Sequence, residues 1–91
     1  MKMKNEELRS QLENLHDELH KTHDLDLQQR ELLRRLADEI QTLLKREQNR
    51  RHNYTSLSAR LNDAVAELEA SHPQITLLMR QTIDSLSYLG V

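Results

Sequence analysis

The sequence predicts an all-α fold: an antiparallel helical bundle of about four helices, arranged as two helical hairpins with coiled-coil-like packing. Two observations support this fold class. Leucines and other aliphatic residues recur at alternating three- and four-residue steps through most of the 91-residue chain, which keeps them on one side of a helix. Ala, Glu, Lys, Leu and Arg together supply about half of the residues, as is typical of long helices and coiled coils.

The core is expected to be aliphatic, because the chain has no Phe or Trp and its aromatic residues are Tyr54 and Tyr88. We expect a single domain over residues 1–91. A chain of this size buries little apolar surface alone, so the stripe of regularly spaced aliphatic residues is predicted to join two copies of the chain as well. The fifteen residues predicted for this core and oligomer interface are Leu8, Leu12, Leu15, Leu19, Leu33, Leu36, Ile40, Leu43, Leu57, Leu61, Leu68, Ile75, Met79, Ile83 and Leu86.

The first hairpin is predicted from two helices over residues 6–22 and 27–47, joined by a tight turn. Asn5 can cap the first helix, and Asp26 with Gln29 has the spacing of a capping box at the start of the second. Because neither Gly nor Pro interrupts this stretch, one long kinked helix is the alternative.

The second hairpin follows an exposed loop predicted over residues 48–54, the most polar stretch of the chain. Its helices are expected over residues 56–70 and 73–89, separated by Pro73. Either Ser71 in a capping box or His72 before the proline can cap the fourth helix.

The end of the chain carries a helix-termination signal. Gly90 can adopt the left-handed conformation that closes a helix, and Val91 can then contact Leu86, as in a Schellman motif. This ending predicts a chain that is complete at its carboxyl terminus.

Composition excludes several classes of protein. The absence of cysteine excludes disulfides, thiolate catalysis and cysteine-based zinc sites. The basic start, Met1 to Lys4, runs into acidic residues, so it does not resemble a secretory signal, and the longest apolar run is too short to cross a membrane. We therefore expect a cytoplasmic protein without a membrane partner. A basic middle third between acidic flanks is expected to direct which helices pair.

The histidines His16, His20 and His23 are spaced four and three residues apart and are expected to line one helical face. Neutral imidazoles at this spacing can bind zinc, copper or nickel, and their protonation between pH 5 and 8 can loosen an interface. A polar helix flank is the favoured interpretation, so no cofactor and no metal ligand is assigned.

A second candidate is the basic cluster of Lys45, Arg46, Arg50 and Arg51, with His52 beside it. Such charge can bind phosphate. Because no aromatic residue interleaves for base stacking, we interpret the cluster as a solvated loop and expect no nucleic-acid partner.

No catalytic residue is predicted, and the protein is not expected to be an enzyme. Ser71 and His72 are adjacent, and neighbours in a chain rarely face each other productively, so a helix junction explains both. A phosphate-binding glycine loop is excluded because Gly90 is the one glycine.

Three segments resemble a known family. They are residues 26–44 (DLQQRELLRRLADEIQTLL), residues 68–73 (LEASHP) and the ending at residues 86–91 (LSYLGV). Together they are similar to a small bacterial all-helical family, domain of unknown function 4404. In that family a proline often follows the capping aspartate, where this chain has Leu27. The resemblance implies no activity, so no function transfers to Ser71, His72 or Pro73.

These features predict a non-enzymatic interaction or scaffold module that self-associates. A homodimer is the favoured assembly, and a further protein partner is compatible with the sequence. The alternative is a small regulator that responds to metal, pH or nucleic acid through the histidine face or the basic loop.

Overall fold

The fold is known from a computed structural model that describes residues 2–46 and 51–88. Over these residues the chain forms helices and turns but no strand, as the sequence predicted. None of the described helices is both long and apolar enough to cross a membrane. The four helices are α1 (Lys2–Lys21), α2 (Leu27–Lys45), α3 (Arg51–Leu68) and α4 (Pro73–Ser87).

The helices form a closed four-helix ring. Each helix contacts the next one in the chain, and α1 also contacts α4. Over the described residues, no Cα atom of α1 lies within 8 Å of α3, and none of α2 lies within 8 Å of α4. Short turns join α1 to α2 and α3 to α4, so neighbouring helices run antiparallel. The result is the predicted pair of hairpins, about 39 Å long.

The apolar stripes of the four helices meet inside a single copy of the chain. Fourteen of the fifteen residues predicted for the core and oligomer interface are buried there. Ala37 and Ala64 are buried beside them. Ile83 packs against this core but remains partly exposed. The stripes are therefore covered by the neighbouring helices of the same chain.

Helix α4 uses a slightly different face from the predicted one. Thr82, only 1% exposed, occupies the inward position next to Ile83, and Thr76 is also buried. The Thr82 hydroxyl donates to the carbonyl oxygen of Leu78 at 2.9 Å, and Thr76 donates to that of Pro73 at 2.9 Å. Because both hydroxyls bond to their own helix, their burial leaves no unpaired donor. This pairing explains how polar residues enter an aliphatic core.

The turn between α1 and α2 confirms two separate helices and excludes the single kinked one. Asp24 has a φ of 59°, in the left-handed region that aspartate tolerates better than most residues, so the chain reverses without a glycine. Asp26 caps α2 in the predicted capping box with Gln29. The prediction for Asn5 is wrong. Helix α1 already begins at Lys2, because the residues before Asn5 are good helix formers.

The predicted loop over residues 48–54 is wrong in its second half. Helix α3 begins at Arg51, five residues before the expected start, and residues 47–50 lie outside the described part of the chain. Polar residues such as those at positions 51–54 have only a modest helix penalty, so polarity alone does not end a helix.

The junction before α4 is capped at His72, with Pro73 in the first turn. Of the two caps that the sequence left open, the structure has His72, which makes no side-chain bond to the helix, and not the capping box between Ser71 and Gln74. Proline suits this position because its missing N–H would have no helical partner. The predicted closing motif at Gly90 and Val91 lies outside the described residues.

Charged side chains on α2 connect along the helix and to α3. The Arg34 side chain donates to Glu31, and this hydrogen bond holds the pKa of Glu31 below its usual range and raises the pKa of Arg34. Arg34 also donates to Asp38 at 3.1 Å. Between helices, Arg60 Nε lies 2.7 Å from Glu39 Oε1, an ion pair that joins α3 to α2.

Candidate functional site

A cleft opens at one end of the bundle, between the α1–α2 turn and the α3–α4 turn. Its volume is about 380 Å³. Both turns and the ends of α1 and α4 contribute side chains to it, so it mixes polar and apolar groups. The lining residues are Glu18, Lys21, Thr22, His23, Ser71, His72, Pro73, Gln74 and Ile75.

The imidazole of His72 joins the two turns across this cleft. Its Nε2 lies 2.9 Å from the carbonyl oxygen of His23, and its Nδ1 lies 2.8 Å from Ser71 Oγ. A carbonyl oxygen can only accept, so Nε2 donates to it. In the neutral ring Nδ1 is then the acceptor, and the Ser71 hydroxyl donates to it. These two bonds fix both the tautomer and the orientation of the ring.

Ser71 and His72 are in contact although they are neighbours in the chain, whereas the sequence explained both only by a helix junction. A serine that donates to an imidazole is the first element of a nucleophile–base pair. Here the third partner is a backbone carbonyl from a turn 49 residues away, which holds the ring in place as a carboxylate would in a catalytic triad. The direct effect of the arrangement is to hold the two turns together.

The predicted histidine face divides into a pair and a separate residue. His16 and His20 lie one turn apart on α1, and their Nε2 atoms approach to 3.4 Å. Their rings meet edge to face with centroids 4.5 Å apart. His23 does not continue this face, because α1 ends at Lys21 and His23 lies in the turn. Among the described residues, no three His, Cys, Asp or Glu side chains gather into a metal-binding group.

The predicted basic cluster is only partly within the described residues. Lys45 ends α2 and Arg46 follows it as the C-cap, and both are exposed. Arg50 lies outside the described residues, and Arg51 is the first residue of α3. The cluster is therefore carried partly by helix ends rather than by the loop that the sequence predicted.

Sequence reasoning missed the contact of His72 with the turn around His23. The available signal was the Ala-Ser-His-Pro junction at residues 70–73, which contains the one proline of the chain. That junction indicated a helix boundary, but no periodicity connects it to a turn so far away in the sequence.

Comparison with known proteins gives one match. No curated protein and no solved structure matches this chain. A family model, described as a domain of unknown function, matches residues 8–91, which include α1 from Leu8 onward and the whole of α2, α3 and α4. This chain is accordingly a member of the DUF4404 family.

Proposed function

We propose that this chain is a non-enzymatic protein–protein interaction module that self-associates as a homodimer in the bacterial cytoplasm. The proposal starts from the closed interior of the bundle. Because the leucine stripes are covered within one copy, contact with a second copy requires an outward surface. The observation that carries the proposal is an exposed apolar pair on α4.

This pair belongs to the outer α4 face, defined here as Leu77, Gln81, Asp84 and Tyr88. These residues are spaced four, three and four apart, so they follow one side of the helix. Leu77 is 57% exposed and Tyr88 is 73% exposed, although both are large and partly apolar. Tyrosine is enriched at protein interfaces, and an exposed leucine adds apolar area that a partner would remove from water.

Low charge also distinguishes this helix. The fifteen residues of α4 include two charged ones, whereas the nineteen residues of α2 include seven. Charged residues are depleted at the centres of interfaces because their desolvation is costly. Of the four helices, α4 therefore presents the surface that is easiest to cover.

A second copy is the occupant that fits this face best. If two α4 helices pack antiparallel around a two-fold axis, Leu77 of one copy meets Tyr88 of the other, and the same contact repeats across the axis. Gln81 and Asp84 then meet in the same way between the two apolar contacts. A two-fold interface requires this self-complementarity, in which residue i contacts j and j contacts i.

Sedimentation velocity over a range of protein concentrations tests the proposal. We expect the wild type to move from monomer to dimer as its concentration rises. Leu77→Glu should remain monomeric, because each interface would lose both leucine contacts with Tyr88 and would bury two carboxylates in addition to those of Asp84. The matched control is Leu27→Glu, which changes an 81% exposed leucine on α2 and should dimerise like the wild type.

Circular dichroism must show wild-type helicity for both variants, so that a change in mass reflects association. A wild type that stays monomeric at every concentration would overturn self-association. A Leu77→Glu variant that dimerises as the wild type does would overturn the assigned face.

A further inference from the structure

The two histidines of α1 form a geometry that the proposed interaction role does not use. His16 and His20 are one helical turn apart, and their Nε2 atoms lie 3.4 Å from each other. A hydrogen bond between the two rings accounts for this approach and holds the Nε2 atoms beside each other. Helix α1 fixes the spacing of the two Cα atoms, and the two ring planes meet at 81°. A rotation of the rings about their side-chain bonds is then enough to direct both nitrogens at one ion.

This separation matches the distance between two ligands of a small metal ion. Zinc–nitrogen bonds are about 2.0–2.1 Å long, so two nitrogens in a tetrahedral set lie about 3.3–3.4 Å apart. The two imidazoles therefore already stand at ligand spacing. Little conformational freedom is lost when an ion enters between them, which favours chelation.

Metal binding requires one ring proton to change its nitrogen, but neither imidazole has to change its charge. In the metal-free pair, one Nε2 donates its hydrogen to the lone pair of the other. When an ion binds, the donating ring moves its proton from Nε2 to Nδ1 by exchange with water. Both rings are then neutral, and both Nε2 lone pairs point at the ion, which is the form in which histidine binds metals.

Access and charge at this position also suit a cation. His20 is exposed and His16 is half-buried, so an ion can reach the pair and keep water in its remaining positions. The exposed carboxylates Glu13 and Asp17 lie on the same helix and add negative potential nearby. Because the described residues supply no third ligand, the site is bidentate.

We propose that His16 and His20 form a surface chelate for one divalent transition-metal ion of the zinc, nickel or copper type. The ion binds the two Nε2 atoms, and water fills its other positions. Imidazole is a suitable ligand for these three ions, and affinity should follow their usual order, with copper bound most tightly. Calcium and magnesium should not bind, since they require oxygen ligands.

Titration of the purified full chain with zinc, nickel or copper chloride tests the proposal by calorimetry. We expect one ion per chain. His20→Gln should weaken binding by about tenfold or more, because it removes one of two ligands. His23→Gln is the matched control. It changes an exposed histidine that lies three residues after His20, in the turn beyond α1. It keeps the backbone carbonyl that His72 uses and should bind metal like the wild type.

Nitrogen-detected NMR of the histidine rings provides a second readout. On addition of zinc, the His16 and His20 rings should both be in the Nδ1–H tautomer, so the ring that donates in the metal-free pair should change its tautomer, while His72 should keep its Nε2–H. Equal affinity of the wild type and His20→Gln would overturn the chelate. Unchanged His16 and His20 signals at excess zinc would overturn it as well.

Discussion

Substitutions in the capping box at the start of α2 test how much this cap contributes to the stability of the first hairpin. Asp26 Oδ1 accepts from the backbone N–H of Gln29 at 2.7 Å. In return, Gln29 Oε1 accepts from the backbone N–H of Asp26 at 3.2 Å. Asp26→Ala removes the shorter bond and leaves a helix N–H without its partner. Gln29→Ala removes only the longer bond.

The expected losses follow from these geometries. Replacing an aspartate N-cap with alanine costs about 1 kcal/mol, and Asp26 is exposed, so no larger burial term is added. The longer bond of Gln29 should contribute about 0.5 kcal/mol. For a domain of this length the unfolding entropy is about 0.2 kcal/mol per kelvin, so Asp26→Ala should lower Tm by about 5 °C.

Urea unfolding followed by circular dichroism measures both losses and their coupling in the double variant. Asp26→Asn is the control, because asparagine is also a strong N-cap and should retain most of the stability. The reasoning would be refuted if Asp26→Ala unfolded at the wild-type urea midpoint. It would also fail if Asp26→Asn lost as much stability as Asp26→Ala, since the cap would then not be the cause.

Substitutions at three further positions test the core and the turn by thermal unfolding. Ile40 is 0% exposed, so Ile40→Asp would bury an unpaired carboxylate and is expected to lower the free energy of unfolding by several kcal/mol. A variant that melts at the wild-type temperature would contradict the assigned core. Thr82→Val should change the free energy of unfolding by less than about 1 kcal/mol, because the lost hydroxyl is paired only with its own helix. A larger loss would show that the hydroxyl has another role. Asp24 has a positive φ, so Asp24→Gly should be neutral or slightly stabilising, whereas Asp24→Val should cost about 1 kcal/mol or more. Equal stability of these two variants would contradict the backbone conformation.

The fold was predictable because local and periodic signals agree. The aliphatic repeat indicated which face of each helix is buried, and Asp26 with Gln29 indicated where α2 begins. The start of α3 was not predictable from polarity. The stretch before Tyr54 is polar but contains no strong helix breaker, so the helix extends back to Arg51.

Contacts at the candidate site depend on the tertiary structure and could not be predicted in the same way. Spacing along α1 indicated that His16 and His20 share a face, and this contact is local. The same spacing wrongly included His23, which lies in the turn two residues beyond the end of α1 at Lys21 and so does not follow the helical periodicity. The bond from His72 to His23 depends on the docking of two hairpins, which no local pattern describes.

The two proposals use different helices, so each variant can also be measured in the assay designed for the other proposal. Self-association depends on Leu77 on α4, and metal binding depends on His20 on α1. Leu77→Glu should therefore bind zinc with wild-type affinity, and His20→Gln should dimerise like the wild type. If His20→Gln also lost the dimer, or if the dimer required added zinc, the two surfaces would be one shared site. The interface would then have to be placed on the α1 side of the bundle rather than on α4.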